Sequence, residues 1–367
     1  MQIQAAIVRE SGKIAVETVD LDAPRDNEIL VRNVATGICH TDLLVMNQVL
    51  PAPLPMALGH EGAGIVVKVG ANVTKVVPGD HVLMSYDYCG DCPSCNANKQ
   101  TYCHQSFEYS FGGRRPDGSA TLSKDGTPIG SSFFGQSSFA THSLCYDRNV
   151  VKVRKDAPLE LLGPLGCGIQ TGAGAILNAL DVEKGSDVAI FGAGAVGLAA
   201  IMAAKIAGAR RIFAIDVKPD RLALARELGA THAINGASEE ALALIAEHTD
   251  AGVMYALDTT GVKPVMSQAV ACLAPRGTCV WIAGVSPDMN IEVNPLFLLY
   301  GRSVRGVIEG DSHDAQAFIT RLIDLYMDGK FPFDRLIKTY PFAEFSKAMS
   351  DGKSGAAIKP VVVFDPA

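Results

Sequence analysis

The chain has 367 residues, 48% hydrophobic and 19% charged, with 36 glycines, 19 prolines, nine cysteines and a net charge of -7. That length exceeds what one hydrophobic core usually serves, so two domains are expected, and the composition excludes a disordered chain. The mildly acidic balance, with no cluster of Lys or Arg, leaves no footprint for nucleic acid or an anionic membrane surface, so small-molecule chemistry is expected.

Residues 1–9 read as a strand, with no basic segment, apolar core and cleavage site of the kind a signal peptide needs. Short β-rich runs at 14–21, 28–34 and 64–69 alternate with turns such as Pro78-Gly79-Asp80, so the chain to about residue 153 reads as a mainly antiparallel β domain. An insertion over 89–132 lacks sustained periodicity, and something other than an apolar core is expected to hold it. After residue 161 the texture changes to alternating strands and helices. A strand at 187–191, a helix to 208, a strand at 211–216, a helix at 220–229 and strands at 232–234, 253–258, 278–283 and 303–308 make six strands, the count of a doubly wound dinucleotide domain. The apolar run 188–209 is broken by glycines and Lys205, so it reads as strand, turn and helix, and no membrane span is expected. Helices near 315–328 and 342–349 precede an apolar strand at 358–364, which is free to return to the first domain. Cysteines at short spacing without a secretion signal point to the cytoplasm and to metal ligation over disulfides.

Three motifs carry chemistry. Cys89, Cys92, Cys95 and Cys103 place four thiolates within fifteen residues, enough to close a tetrahedral shell around zinc, with an iron-sulfur site as the rival. All four positions are filled, so this metal is expected to be structural. Gly192-Ala193-Gly194-Ala195-Val196-Gly197 follows an apolar strand and opens a helix. Gly192 then permits the tight turn, Gly194 the approach of a pyrophosphate and Gly197 close helix packing. Asp216, at the end of the next strand, is placed to accept hydrogen bonds from ribose hydroxyls and to repel a 2'-phosphate, favouring NAD over NADP. Finally, Cys39, His60 and Cys167 supply a Cys2His set that leaves a fourth zinc position open, and the neighbouring carboxylates Asp42 and Glu61 suit a supporting role.

These residues, together with GICHTD at 37–42, GHEGAG at 59–64 and GCGIQTGAGA at 166–175, give a chain that resembles the zinc-dependent medium-chain alcohol dehydrogenases over its whole length. The resemblance implies an α/β protein: a GroES-like β-rich catalytic domain from 1–168 and 309–367, with the structural zinc lobe at about 89–103, and a Rossmann NAD-binding domain at 169–308. It implies two zinc ions per chain, catalytic at Cys39, His60 and Cys167 and structural at the four-cysteine lobe, with NAD as cosubstrate for interconverting an alcohol and its aldehyde. It gives Thr41 the substrate oxygen and the start of a proton relay, and Asp42 the orientation of His60. It puts His40 and Lys359 near the pyrophosphate, Arg221 near the adenosine ribose and Thr171 near the nicotinamide. Leu44 stands where many relatives carry a relay histidine, so the proton is expected to leave through Thr41, the cofactor ribose and water, assisted by His40. FFGQSSFATH at 133–142 and ELLGPLGCGIQTGAGA at 160–175 are most similar to bacterial aryl and allylic alcohol dehydrogenases acting on benzyl alcohol or geraniol. Ser85, where relatives often have an aromatic, is expected to leave room for such a substrate, with Tyr86 and Leu44 as pocket walls. A glutathione-dependent formaldehyde dehydrogenase and a non-catalytic zinc- and nucleotide-binding protein are the alternatives. Relatives form homodimers or homotetramers, commonly through the edge strand of the Rossmann sheet, here at 303–308.

Overall fold

The structure, a computed structural model, describes residues 1–286 and 288–365. The chain divides into two compact units, one of residues 1–167, 313–327 and 334–367 and one of residues 168–312 and 328–333.

The first unit is built on two sheets. In the five-stranded sheet Gln2–Glu10 pairs antiparallel with Lys13–Leu21, and alternating burial along the early part of Gln2–Glu10 turns Ile3, Ala5 and Ile7 into the core. In the seven-stranded sheet Glu28–Gly37 is central, flanked by Gly62–Val69 and Lys359–Val363. The strand expected at 358–364 does return across the chain: Val361 lies opposite Gly37 and Val363 opposite Ala35. This register brings the last β segment beside Ile38, whose N–H donates to Pro360 O at 2.9 Å.

The insertion at 89–132 is held in two different ways. Its first part is short helical turns around four sulfurs, Pro93–Asn96 and Gln100–Tyr102. Its second part is a hairpin, Leu122–Lys124 and Thr127–Ile129, added to the five-stranded sheet through Leu21 and Leu122. Asp125 and Gly126 make its two-residue turn, both at positive φ (50° and 75°), the Asp-Gly signal of a tight hairpin. Strands of three residues are too short for periodicity to reveal, and the sequence reading marked neither them nor this turn.

The second unit carries a six-stranded parallel sheet. In chain order its strands are Asp187–Phe191, Arg211–Asp216, His232–Asn235, Val253–Asp258, Leu273–Trp281 and Ser303–Gly306, and across the sheet they run third, second, first, fourth, fifth, sixth. Asp187–Phe191 is buried throughout, as a strand covered on both faces must be. The order reverses between the first and fourth strands, the switch point beside which open α/β sheets bind ligands. Helix Ala195–Ala207 follows the first strand and stops at Gly208, whose φ of 80° no β-carbon residue adopts cheaply. Two helices, Ala241–His248 and Lys263–Ala271, complete crossovers that the sequence pattern had not marked.

The segment 309–312, expected in the first domain, belongs to the second unit. Its physical tie is visible: Glu309 Oε2 accepts from Gln170 Nε2 at 3.0 Å, and Asn178 Nδ2 donates to Gly310 O at 3.2 Å. Residues 328–333 likewise join the second unit. Among the described residues no helix is long and apolar enough to cross a membrane.

Candidate metal and cofactor sites

Cys39 ends the run from Glu28–Gly37 with an extended backbone, and helix His40–Met46 begins immediately after it. Asp42, in the first turn of that helix, is fully buried and accepts from Cys39 N–H at 2.9 Å through Oδ2. Its other oxygen accepts from Gly59 N–H at 3.1 Å and lies 3.0 Å from His60 Nδ1. Two backbone donors make Asp42 an acceptor, so the proton between it and His60 sits on Nδ1 and the lone pair on Nε2. His60 Nε2 is buried with no hydrogen-bond partner among the described residues. Such an orphan nitrogen is costly unless a ligand meets it.

What surrounds it is the chemistry of a zinc site. Ligand atoms of Cys39, His60, Glu61 and Cys167 all lie within 4.8 Å of one another. Cys167 follows the turn Gly163–Gly166, where a Cβ on Gly166 would stand 2.2 Å from Met84 O, so only glycine lets this loop bring its cysteine so close to the sheet. Ser85 Oγ donates to Gly166 O at 2.7 Å and pins the same loop. Ser85 is 1% exposed, and its hydroxyl braces a ligand loop, a role that its residue type alone does not reveal. A hydrogen bond from Cys167 holds the Cys39 thiol well below its ordinary pKa, burial opposing, with Lys359 and His60 adding to the effect. Burial disfavours charge on His60, but Asp42 and the Cys39 thiolate draw positive charge to it and raise its pKa well above the usual value; a metal cation at Nε2 would answer the same negative groups while leaving that nitrogen its lone pair. The cluster thus favours a thiolate beside positive charge, and the donor set fits zinc.

Lys359 does not stand free for a pyrophosphate. It is 3% exposed, and its Nζ donates to Glu61 Oε1 and Oε2 at 2.8 and 3.0 Å and to Ile38 O at 3.2 Å. The strand register that carries Lys359 next to Ile38 aims its ammonium at Glu61, a partner that sequence distance concealed. Burial works against the Lys359 charge, but Glu61 and Cys39 outweigh it and raise the pKa above the ordinary lysine value. For Glu61 the balance is reversed: burial raises its pKa despite Lys359. Thr41 Oγ1 lies 3.9 Å from Cys39 Sγ, and His40 is exposed at the start of its helix.

The four-cysteine lobe is a second cluster, with its sulfurs also within 4.8 Å of one another. Backbone N–H groups point at these sulfurs: Cys89 and Gln105 each donate to Cys103 Sγ at 3.4 Å, and His104 donates to Cys92 Sγ at 3.4 Å. The His104 N–H brings the Cys92 thiol down to about 6, whereas burial, with Asp91 contributing, pushes Cys89 up to about 12. Four thiols this close ionise together only around a cation.

In the second unit Gly192 N–H donates to Ile215 O at 2.7 Å, and Ala193 N–H to Asp216 Oδ2 at 2.6 Å. Asp216 Oδ1 accepts from Lys218 N–H at 2.9 Å, so the carboxylate is locked at the end of its strand beside the glycine turn. Gly197 is constrained by contact: a Cβ there would meet Gly192 O at 1.8 Å. A Cβ on Gly194 would meet nothing, and no side chain caps the helix that Gly194 opens, so the first-turn N–H groups face open space suited to a phosphate. Gly197→Ala is therefore expected to displace the turn and weaken nucleotide binding at least about tenfold with the rest of the fold retained, measured by titrating intrinsic fluorescence with NADH. Arg221 Nε is buried without a hydrogen-bond partner among the described residues, leaving a donor for a ligand. Thr171 Oγ1 lies 3.4 Å from Glu309 Oε2.

Several supporting residues escaped the sequence reading. Buried Gln136 accepts from Gly62 N–H at 3.1 Å and donates to His60 O at 3.1 Å and Ser85 O at 3.2 Å, clamping the His60 backbone. It belongs to the FFGQSSFATH stretch, where only its resemblance, not its chemistry, was legible. Tyr86, expected as a pocket wall, lines a cavity of about 420 Å³ with Tyr88, Arg148 and His313, none of them a candidate ligand.

A β-rich unit bearing two thiolate clusters and a parallel-sheet unit bearing a glycine-rich turn define a zinc-binding dehydrogenase architecture. Residues 25–155 match the alcohol dehydrogenase GroES-like domain and residues 195–324 the zinc-binding dehydrogenase domain. The chain is 46% identical over 366 residues to a geraniol dehydrogenase of Castellaniella defragrans, covering 98% of this chain and 97% of that one. Among solved structures it is similar to an alcohol dehydrogenase zinc-binding domain protein from Burkholderia ambifaria (48% identity, TM-score 0.97) and to benzyl alcohol dehydrogenase from Acinetobacter calcoaceticus (44%, TM-score 0.96), each match covering 100% of both chains. The chain belongs to the zinc-dependent alcohol dehydrogenase family, with a GroES-like domain and a Rossmann-type domain.

Proposed function

We propose that this protein oxidises primary aryl or allylic alcohols to aldehydes with NAD, using a zinc held by Cys39, His60 and Cys167, while Cys89, Cys92, Cys95 and Cys103 hold a second, structural zinc. Its family makes it an alcohol oxidoreductase that uses zinc and a nicotinamide cofactor. The observation that carries the site assignment is His60 Nε2, buried, unpartnered and left as a lone pair by Asp42, within 4.8 Å of two cysteine sulfurs.

When bound there, zinc supplies a Lewis acid that makes an alcohol proton easier to lose. The chain's own residues do the rest. Cys39 and Cys167 present thiolates, Asp42 holds the proton on His60 Nδ1, and Thr41 Oγ1, beside Cys39, receives the alcohol proton and passes it on. Leu44 cannot extend that relay, so His40, exposed at the helix start, is the next group of this chain able to take up a proton. Glu61 and Lys359 form a buried ion pair beneath the cysteines that compensates charge at the site. Asp216 accepts from the ribose hydroxyls of NAD, with Arg221 nearby on helix Pro219–Leu228. Asp216→Ala removes the negative charge that repels a 2'-phosphate, and the ratio of kcat/KM with NADP to that with NAD should rise by roughly tenfold or more. An unchanged ratio would remove Asp216 from cofactor choice.

The names of two relatives, a geraniol dehydrogenase and a benzyl alcohol dehydrogenase, support the substrate class. A panel of aliphatic, benzylic and terpenoid alcohols scored by kcat/KM tests it. Preference for formaldehyde with glutathione would overturn it. Exposed Leu296, Leu299 and Tyr300 (63%, 80% and 63%) lie in the segment leading to edge strand Ser303–Gly306 and support a homo-oligomer joined at that edge. None of the nine cysteines is joined in a disulfide, which fits a reducing cytoplasm.

A further inference from the structure

Phe134 offers no ligand atom, yet its ring lies face to face with the His60 imidazole, the centroids 4.6 Å apart and the planes 23° from parallel. Phe133 meets the same imidazole edge-on at 5.4 Å and 78°. The backbone that delivers Phe134 is unusual: φ is 50° and ψ 33°, a left-handed conformation that a residue with a β-carbon seldom adopts unaided. Asn149 holds it there. The Asn149 side chain is 1% exposed, its Nδ2 donates to Phe134 O at 3.2 Å and Gly135 O at 3.1 Å, and its Oδ1 accepts from Tyr146 N–H at 2.8 Å. Relaxation of Phe134 to an ordinary extended conformation would swing its ring off His60.

The Asp42 bond fixes one atom of the imidazole. A hydrogen bond at Nδ1 leaves the ring able to rock about that contact, which would sweep Nε2 away from the point it shares with the two cysteine sulfurs. A ring stacked on one face and another against the edge remove that freedom. We propose that Phe134, held in its left-handed conformation by Asn149, is a positioning residue that fixes the plane of His60 so that Nε2 aims at the catalytic metal. This rests on reading His60 as a zinc ligand.

The test follows metal binding and turnover separately. Zinc release to a chromogenic chelator and the visible spectrum of protein with cobalt at the catalytic position are compared in wild type, Phe134→Ala, Phe134→Leu, Phe134→Tyr and His60→Ala. Circular dichroism checks the fold. Loss of a supporting contact to a metal ligand typically costs about 10–100-fold in metal affinity. One of the two zincs is expected to leave Phe134→Ala and Phe134→Leu about tenfold faster than wild type, with a shifted cobalt band, while Phe134→Tyr, which keeps the ring, behaves as wild type. If Phe134→Ala fails to fold, Phe134→Leu, which keeps an apolar side chain without a ring, decides the matter. Wild-type release and an unshifted cobalt band in the folded ring-free variant would overturn the proposal, even where KM changed, because the ring would then touch only substrate. If His60→Ala still held both zincs with an unaltered cobalt band, the assignment of His60 itself would fall, an outcome separate from failure of the Phe134 proposal.

Discussion

Replacing Cys39 with alanine is expected to leave a folded protein that binds one zinc where the wild type binds two and that has lost almost all alcohol oxidation. The side chain sits where a strand passes into helix His40–Met46, and the bond from Cys39 N–H to Asp42, which does not involve the sulfur, is kept at the helix start. What disappears is one of the three proposed ligands. A metal's charge stabilises a developing oxyanion by several kcal/mol, and at 1.36 kcal/mol per decade the expected loss in kcat is roughly 10³–10⁴-fold. Metal analysis alongside steady-state kinetics checks both halves. Near-wild-type turnover, or two zincs retained, would show that the cluster of Cys39, His60 and Cys167 is not the catalytic centre.

Cys103→Ala should produce the opposite pattern, a large loss of stability that precedes any loss of chemistry. The segment from Cys89 to Cys103 contains only short turns, and the apolar residues packed with its sulfurs amount to Tyr88 beside the cysteines themselves. Without a metal, three buried or half-buried thiols and their N–H donors have nothing to organise around. Structural zinc contributes about 10–16 kcal/mol of binding energy in small zinc domains. Most of that is spent here on ordering a local lobe, so a loss of roughly 3–5 kcal/mol to the first unit is expected, a fall in melting temperature of about 10 °C. Differential scanning calorimetry with zinc stoichiometry provides the check, and hydrogen exchange should place the loosened amides at 89–105. An unchanged melting temperature would mean that the lobe is held by something other than metal.

The difference between these two predictions reflects how the two clusters are assembled. Cys89, Cys92, Cys95 and Cys103 are close in sequence, and closure of so short a loop leaves them few places to be except around a shared centre. The sequence pattern therefore sufficed for that lobe, as it did for the glycine turn, where Gly192, Gly194 and Gly197 sit between a strand and a helix that local periodicity reveals. The short hairpin Leu122–Lys124 and Thr127–Ile129 was missed because three-residue strands show no period. Helix His40–Met46 was also passed over in a β-rich region, although Asp42 three residues after Cys39 is the mark of a helix start.

The amino-acid sequence by itself determined the two-unit α/β plan, the six parallel strands and the types of the proposed ligands, since each shows in local periodicity, in motif spacing or in residue type. Only the tertiary structure decided the partners of the buried charges and rings. Lys359 reaches Glu61 across 298 positions of chain, Ser85 braces the loop of Cys167, and Phe134 covers His60 because Asn149 holds a left-handed turn. The physical reason is common to all three. Sheet register and loop closure choose which distant side chains meet, and burial then forces each polar group to find whichever partner that register supplies.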